Sequence, residues 1–272
     1  MPAAAVVAAL TRRRGVDLGA ELKPAATGPK LSTGCVELDA AFDGGGLLAG
    51  GAHEVSAAEV GDACAAAVFA LGLAVRRLQR TPGRRALFVQ AAQAGSEQGL
   101  LYGPGLHALG LDPDRWLFVT ARDDAGVLRV VDEATRSGAP AAVVAELSTP
   151  ERLDLKTTRR FNLAGQRGGT TALLLTPRPA ATSAALSRWR VASARSRGPA
   201  DDLLGAPTLR LDLTRNRHGR LGAWTVEWNP DDRLFQLATD PVALAASPTH
   251  RPFSVGRDQH ADHADGGRRA VG

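Results

Sequence analysis

Short, mainly apolar runs recur along this chain, each bounded by turn-forming residues. They fall at residues 52–56, 86–90, 116–120, 141–146 and 170–176. Runs of this length without strict alternation read as strands covered on both faces. Helical spacing fills the gaps between them. Residues 62–80 form an Ala-rich stretch ending in Arg76, Arg77 and Arg80, cations that suit the negative end of a helix dipole. Residues 124–137 place Val127, Val131 and Ala134 on one face, with Gly138 as the cap beyond. Ser148 and Glu151 have the spacing of a capping box, which predicts a helix from there to about Gly165. Strands and helices in alternation imply parallel βαβ units and an α/β fold.

The pattern changes after Pro177. Residues 187–192, 208–214 and 221–228 alternate apolar and polar, as antiparallel strands with one wet face do. Residues 215–220, RNRHGR, read as a hairpin loop carrying Gly219, and 233–237 as an edge strand. Alternation puts Trp189 on one face and Arg188 and Arg190 on the other; Trp224 and Trp228 share a face. The expected architecture is therefore a mainly parallel central sheet extended by C-terminal antiparallel strands. Residues 31–240 form this domain. Residues 1–30 are expected to hold a short helix, over about 3–13, and a linker. Residues 241–272 are polar and read as a disordered tail.

Charge adds a second feature. The chain of 272 residues carries a formal net charge of +5, yet residues 151–220 alone hold 14 basic and 5 acidic side chains. A basic block on a mildly acidic body suggests a surface facing a polyanion or an acidic partner. Arg188, Arg190, Arg215, Arg217 and Arg220 are the candidates for that contact. Two cysteines, Cys35 and Cys64, lack metal-ligand spacing, so free thiols in a reducing compartment are expected, with Cys64 a small packed residue. His260 and His263 have no further ligands nearby, and no metal site is expected. No apolar run is long enough to span a bilayer, and the N-terminal charges follow the apolar stretch instead of preceding it. A cytoplasmic protein with no membrane contact is expected.

The helix at 62–80 starts where a nucleotide-binding fold would carry the loop G-x-x-x-x-G-K-[ST]. Its glycines let backbone amides close on phosphate, its Lys meets the outer phosphates and its hydroxyl holds magnesium. Here the window reads AAEVGDAC. Ala57 and Asp62 replace the two glycines, Ala63 the Lys, and Cys64 the hydroxyl residue. Asp62 sets a negative charge where anions should be attracted. The expectation is a nucleotide fold with no nucleotide cofactor and no catalysis.

Several stretches now form a recognisable series: LSTGCVELDAAFDGGGLLAGGAHEV, DDAGVLRVVDEATRSG, AAVVAEL, TTRRFNLAGQRGGTTALLL, LSRWRV, and LRLDLTRNRHG followed by AWTVEW. Over residues 30–240 they resemble the core of RecA recombinases and, more closely, the ImuA family of RecA-like proteins from bacterial damage-induced mutagenesis cassettes. The resemblance implies a RecA-like fold and allows each lost function to be located. The catalytic Glu position falls on Ala92, beside Gln90 and Gln93, and an alanine cannot accept a proton. Glu146 stands where a magnesium-associated acid would, a remnant without its Lys and hydroxyl partners. The segment 177–186, PRPAATSAAL, is short for a strand-pairing DNA loop and has no aromatic for base stacking. The resemblance further implies a noncatalytic adaptor of the SOS response that supports translesion synthesis. Its partners would be an ImuB-type inactive Y-family polymerase and, indirectly, an error-prone polymerase III alpha-type subunit. RecA itself, and DNA held nonspecifically through the basic patch, are further partners on this reading. A divergent DNA-dependent ATPase or recombinase, and a SulA-like division inhibitor, are the competing readings.

Overall fold

The computed structural model describes residues 28–92, 101–196 and 205–238. The expected N-terminal helix and C-terminal tail lie outside the described residues, as does Gln93. Two short strands, β1 (Lys30–Leu31) and β2 (Leu47–Leu48), pair antiparallel around the one-turn helix α1 (Val36–Asp39). The main sheet follows: β3 (Gly51–Ala57), α2 (Ala63–Gln79), β4 (Ala86–Ala91), α3 (Gly103–Ala108), β5 (Trp116–Ala121), α4 (Asp124–Ser137), β6 (Ala142–Glu146), α5 (Leu155–Gly168), β7 (Thr171–Thr176), β8 (Ser187–Ser193), β9 (Thr208–Asn216), β10 (Gly222–Asn229) and β11 (Leu234–Leu237). Its nine strands run in the order β11-β10-β9-β8-β3-β7-β6-β4-β5. From β8 to β5 every pairing is parallel, and from β8 to β11 every pairing is antiparallel. This is the RecA-like α/β core with its C-terminal extension.

The sheet has two apolar faces, and different helices cover them. On one, α2 sends Phe69 and Leu73 against Val55, Leu175, Trp189 and Leu211. The C-terminal strands add Trp228 and Phe235 to the same cluster, at 4.8 Å between ring centroids. Gly72 makes this approach possible: a Cβ there would come within 2.5 Å of the Phe235 ring. On the other face, Val127 and Val131 of α4 and Phe161 of α5 pack on Val89, Val143 and Leu174. Trp224 and Trp228 both join the α2-side core, as their spacing implied.

The α4 boundaries follow the sequence pattern. Asp123 caps the first turn by accepting from the Gly126 amide at 2.7 Å, and Gly138 closes the helix at φ 65°. The next helix does not start at the expected capping box. Pro150 opens a separate 3-10 turn at Pro150–Arg152, and Asp154 caps α5 by accepting from the Thr157 amide at 2.7 Å. An Asp three residues before a free amide caps as well as the S-x-x-E pair does, and the proline confines the earlier turn.

The segment 177–186 is packed into the fold. Ala180, Ser183, Ala184, Ala185 and Leu186 are buried. Asn162 holds it by donating to the Ala184 carbonyl at 2.6 Å while accepting from the Ala52 amide at 2.8 Å. Beside it a buried polar chain links β8 to β3. The Trp189 indole donates to Ser187 Oγ at 2.9 Å, Ser187 lies 2.7 Å from His53 Nδ1, and His53 Nε2 lies 2.9 Å from the Leu48 carbonyl. The carbonyl can only accept, so the neutral ring carries its proton on Nε2. Burial pushes the His53 pKa down to about 4.

Candidate functional site

In open α/β sheets, ligands bind outside the carboxyl ends of the parallel strands, where the chain reverses its direction across the sheet. Here that place is the rim above β3, β7 and β6, because the chain leaves β3 for the β4-β5 side and returns to β8 on the opposite flank. A cleft of about 160 Å³ opens there, lined by Ala57, Val60, Ala63, Ala66, Glu146, Leu147, Leu175, Thr176 and Pro177. Among the described residues no lysine or arginine lines it. Glu146 ends β6 and stands in register with Gln90 of β4, with Ala92 just past the end of that strand. Burial raises the Glu146 pKa above the ordinary carboxylate range. Thr176 is buried and its hydroxyl has no hydrogen-bond partner among the described residues.

The loop between β3 and α2 is closed on itself and stapled to β8. A phosphate cradle needs free amides pointing inward. Here the Ala58 amide donates to the Val191 carbonyl at 2.8 Å, the Glu59 amide to Asp62 Oδ2 at 3.1 Å, and the Asp62 amide to the Glu59 carbonyl at 3.0 Å. Asp62 Oδ1 accepts from both the amide and the hydroxyl of Ser193, at 2.8 and 2.9 Å. The residue in the second glycine position is thus a strut between loop and sheet. That partner lies 131 positions away, and no local signal announces it. Val60 projects from the loop almost fully exposed. Cys64, expected to be packed, is exposed, because the first turn of α2 faces outward there. Cys35 is the buried thiol, and burial raises its pKa.

The five candidate contact arginines do not form one solvated patch. Arg188 and Arg190 do share the face opposite Trp189, but Arg188 is only 18% exposed and its Nε donates to Glu54 at 2.7 Å. Glu54 is itself buried, so this is an interior ion pair joining β3 to β8. Arg215 lies beside it and donates to the Ser183 carbonyl. Burial and the neighbouring Arg217 and Arg188 charges lower the Arg215 pKa. Arg217 is half-buried, with its Nε away from solvent. Only Arg190 and Arg220 are substantially exposed. Arg190 reaches the phosphate-loop position, donating to the Ala58 carbonyl at 3.1 Å and lying 3.4 Å from Glu59. Arg220 follows Gly219, whose φ of 144° turns the hairpin.

A further set of arginines escaped the sequence reading. Arg77, Arg84 and Arg115 sit at the opposite, amino end of the parallel strands. Arg115 Nη2 donates to the carbonyls of Leu78, Thr81 and Arg84 at 3.2, 2.9 and 2.8 Å. Arg84 donates to the carbonyls of Gly138, Pro140 and Gly169, and Arg77 also reaches Gly169, at 2.9 Å. Arg77 was explained by the helix dipole, but its buried side chain makes a specific bond across to the start of β7. Burial lowers the pKa of both Arg77 and Arg84.

No helix among the described residues is long and apolar enough to cross a membrane. No family model matches the chain. Two relatives, each named Protein ImuA and found in two strains of Caulobacter vibrioides, are 36% identical to it over 238 residues. The matched region spans 80% of this chain and 93% of each relative. With the RecA-like sheet, this match establishes that the chain belongs to the ImuA family, associated with damage-inducible mutagenesis.

Proposed function

We propose that this chain is a noncatalytic RecA-like adaptor of the SOS-induced translesion synthesis complex in the cytoplasm. One observation carries the reading. The rim where a triphosphate would lie is lined by apolar side chains, the Thr176 hydroxyl and one half-buried carboxyl, and the Ala58, Glu59 and Asp62 amides and the Asp62 carboxylate are engaged by the protein itself. Phosphoryl transfer depends on cations and preorganised amides at that position. Ala63 and Ala92 supply neither the cation nor the base. With catalysis set aside, the surfaces remain, and an adaptor acts through surfaces.

The partners on this reading are an ImuB-type inactive Y-family polymerase, an error-prone polymerase III alpha-type subunit held indirectly, and RecA. DNA contact, where it occurs, runs through phosphates from the exposed Arg190 and Arg220, with weak sequence preference and steep salt dependence. Capture of the tagged full chain from DNA-damaged cells tests this. The polymerase relative and the polymerase subunit are expected to co-purify, at unchanged yield in Glu146→Ala. Capture of neither partner would overturn the adaptor reading. Single-stranded-DNA-stimulated phosphate release that Glu146→Ala abolishes would replace it with the divergent ATPase.

A further inference from the structure

The main sheet has two edges, and among the described residues only one is guarded. β11 is four residues long, preceded by Asp231, Asp232 and Arg233. Short length and flanking charge are how proteins blunt a sheet edge. β5, at the other end, reads WLFVTA, with no charge and no proline in its six residues. Among the described residues nothing pairs with its outer side. Leu117 is 47% exposed and Phe118 51%, and they point to opposite faces, so both sides of the edge are apolar. Phe118 leans on Phe88 and Trp116, while Leu117 borders a depression floored by Leu87 and flanked by Val130 of α4. An unpaired, uncharged, two-sided apolar edge is a template for another strand.

We propose that β5 pairs antiparallel with β5 of a second copy of this chain, forming a two-fold dimer with one continuous sheet. The charges flanking β5 select this occupant. A two-fold axis through an antiparallel pair places one residue opposite its own copy. Centring it on Phe118 sets Leu117 opposite Val119 and Trp116 opposite Thr120, and brings Asp114, in the 3-10 turn Pro113–Arg115 just before the strand, to the same end as Arg122 of the other copy just past its strand, twice by symmetry. Asp114 and Arg122 are exposed, and neither makes an ion pair among the described residues. Centring on Val119 would instead oppose Arg115 and Asp123. Arg115 is already committed to three carbonyls, and Asp123 caps α4. The Phe118 register is therefore the one with free, complementary charges at both ends. This inference does not rest on the adaptor reading, since it uses neither the rim cleft nor any heterologous partner.

Sedimentation of the full chain, with Cys64→Ser as background, tests it. The parent is expected to sediment as a dimer at micromolar concentration, and Phe118→Lys with Leu117→Lys as a monomer with unchanged circular dichroism. Asp114→Arg or Arg122→Asp alone should weaken the dimer about tenfold, because each makes two repulsive pairs across the interface, and the double exchange should restore it. Phe118→Cys should form a disulfide-linked dimer under mild oxidation, whereas Thr120→Cys should not. A parent that stays monomeric at hundreds of micromolar overturns the proposal and leaves the edge to a different strand. So does a dimer that survives the lysine pair, or that is unaffected by the charge exchange.

Discussion

The two ends of the parallel sheet differ in where their cations stand. At the carboxyl end no basic side chain among the described residues lines the cleft between β3, β7 and β6. At the amino end, Arg77, Arg84 and Arg115 turn inward and donate to the carbonyls that open β6 and β7 and close α2. A planar guanidinium with five donors suits this task, because one side chain can satisfy several carbonyls left at helix and turn ends. An arginine-rich composition is thus spent partly on holding loops together. The same side chain means anion recognition at one end of a sheet and mechanical bracing at the other, and only position tells them apart.

Substitutions sharpen that contrast. The largest loss is expected at the interior pair: Glu54→Gln leaves the Arg188 cation buried without its carboxylate, costing about 3–5 kcal/mol in denaturant unfolding. Replacing both Glu54 and Arg188 by leucine should recover most of that loss, as expected for an interior pair and not for a contact site. The pH dependence gives the next effect. The folded His53 pKa, about 4, lies below the ordinary 6.5. Its contribution is therefore full above pH 6.5 and declines as pH falls toward 4, a loss of about 3 kcal/mol. Comparing unfolding of the parent with His53→Gln across that window isolates the histidine's contribution. Arg115→Met should cost about 1–3 kcal/mol by orphaning the Arg84 carbonyl, while the Leu78 and Thr81 carbonyls keep the Thr81 and Arg84 amides. Arg220→Met, by contrast, should change stability by no more than about 0.5 kcal/mol.

The smallest effect is expected at the rim, and its sign is the informative part. Burial raises the Glu146 pKa, so its unfavourable contribution is absent in acid and grows as pH rises through the raised value. Glu146→Gln should then raise the melting temperature at neutral pH and leave it unchanged well below pH 4. A destabilised Glu146→Gln would show that the carboxylate makes a favourable contact in the native state.

Much of the fold was legible because its signals are local. Val127, Val131 and Ala134 mark one helix face, and Gly138 ends that helix at the position the pattern gave. Trp189 and Arg188 alternate across β8 as period two requires. The candidate site is an expectation built on missing side chains, since Ala57, Ala63 and Ala92 are read by position. What could not be read is what the remaining polar groups do, because their partners are remote. Asp62 meets Ser193 across 131 positions and Arg188 meets Glu54 across 134. Local rules also misled where two compete: Ser148 and Glu151 match a capping box, yet Pro150 and Asp154 decide where the helix begins.

The account depends most on the rim being unable to hold a triphosphate. Calorimetric titration of the full chain with ATP and magnesium tests this directly. No saturable heat is expected up to on the order of 1 mM, the affinity of a weak encounter. Saturable binding at micromolar ATP, lost in Glu146→Ala, would contradict it.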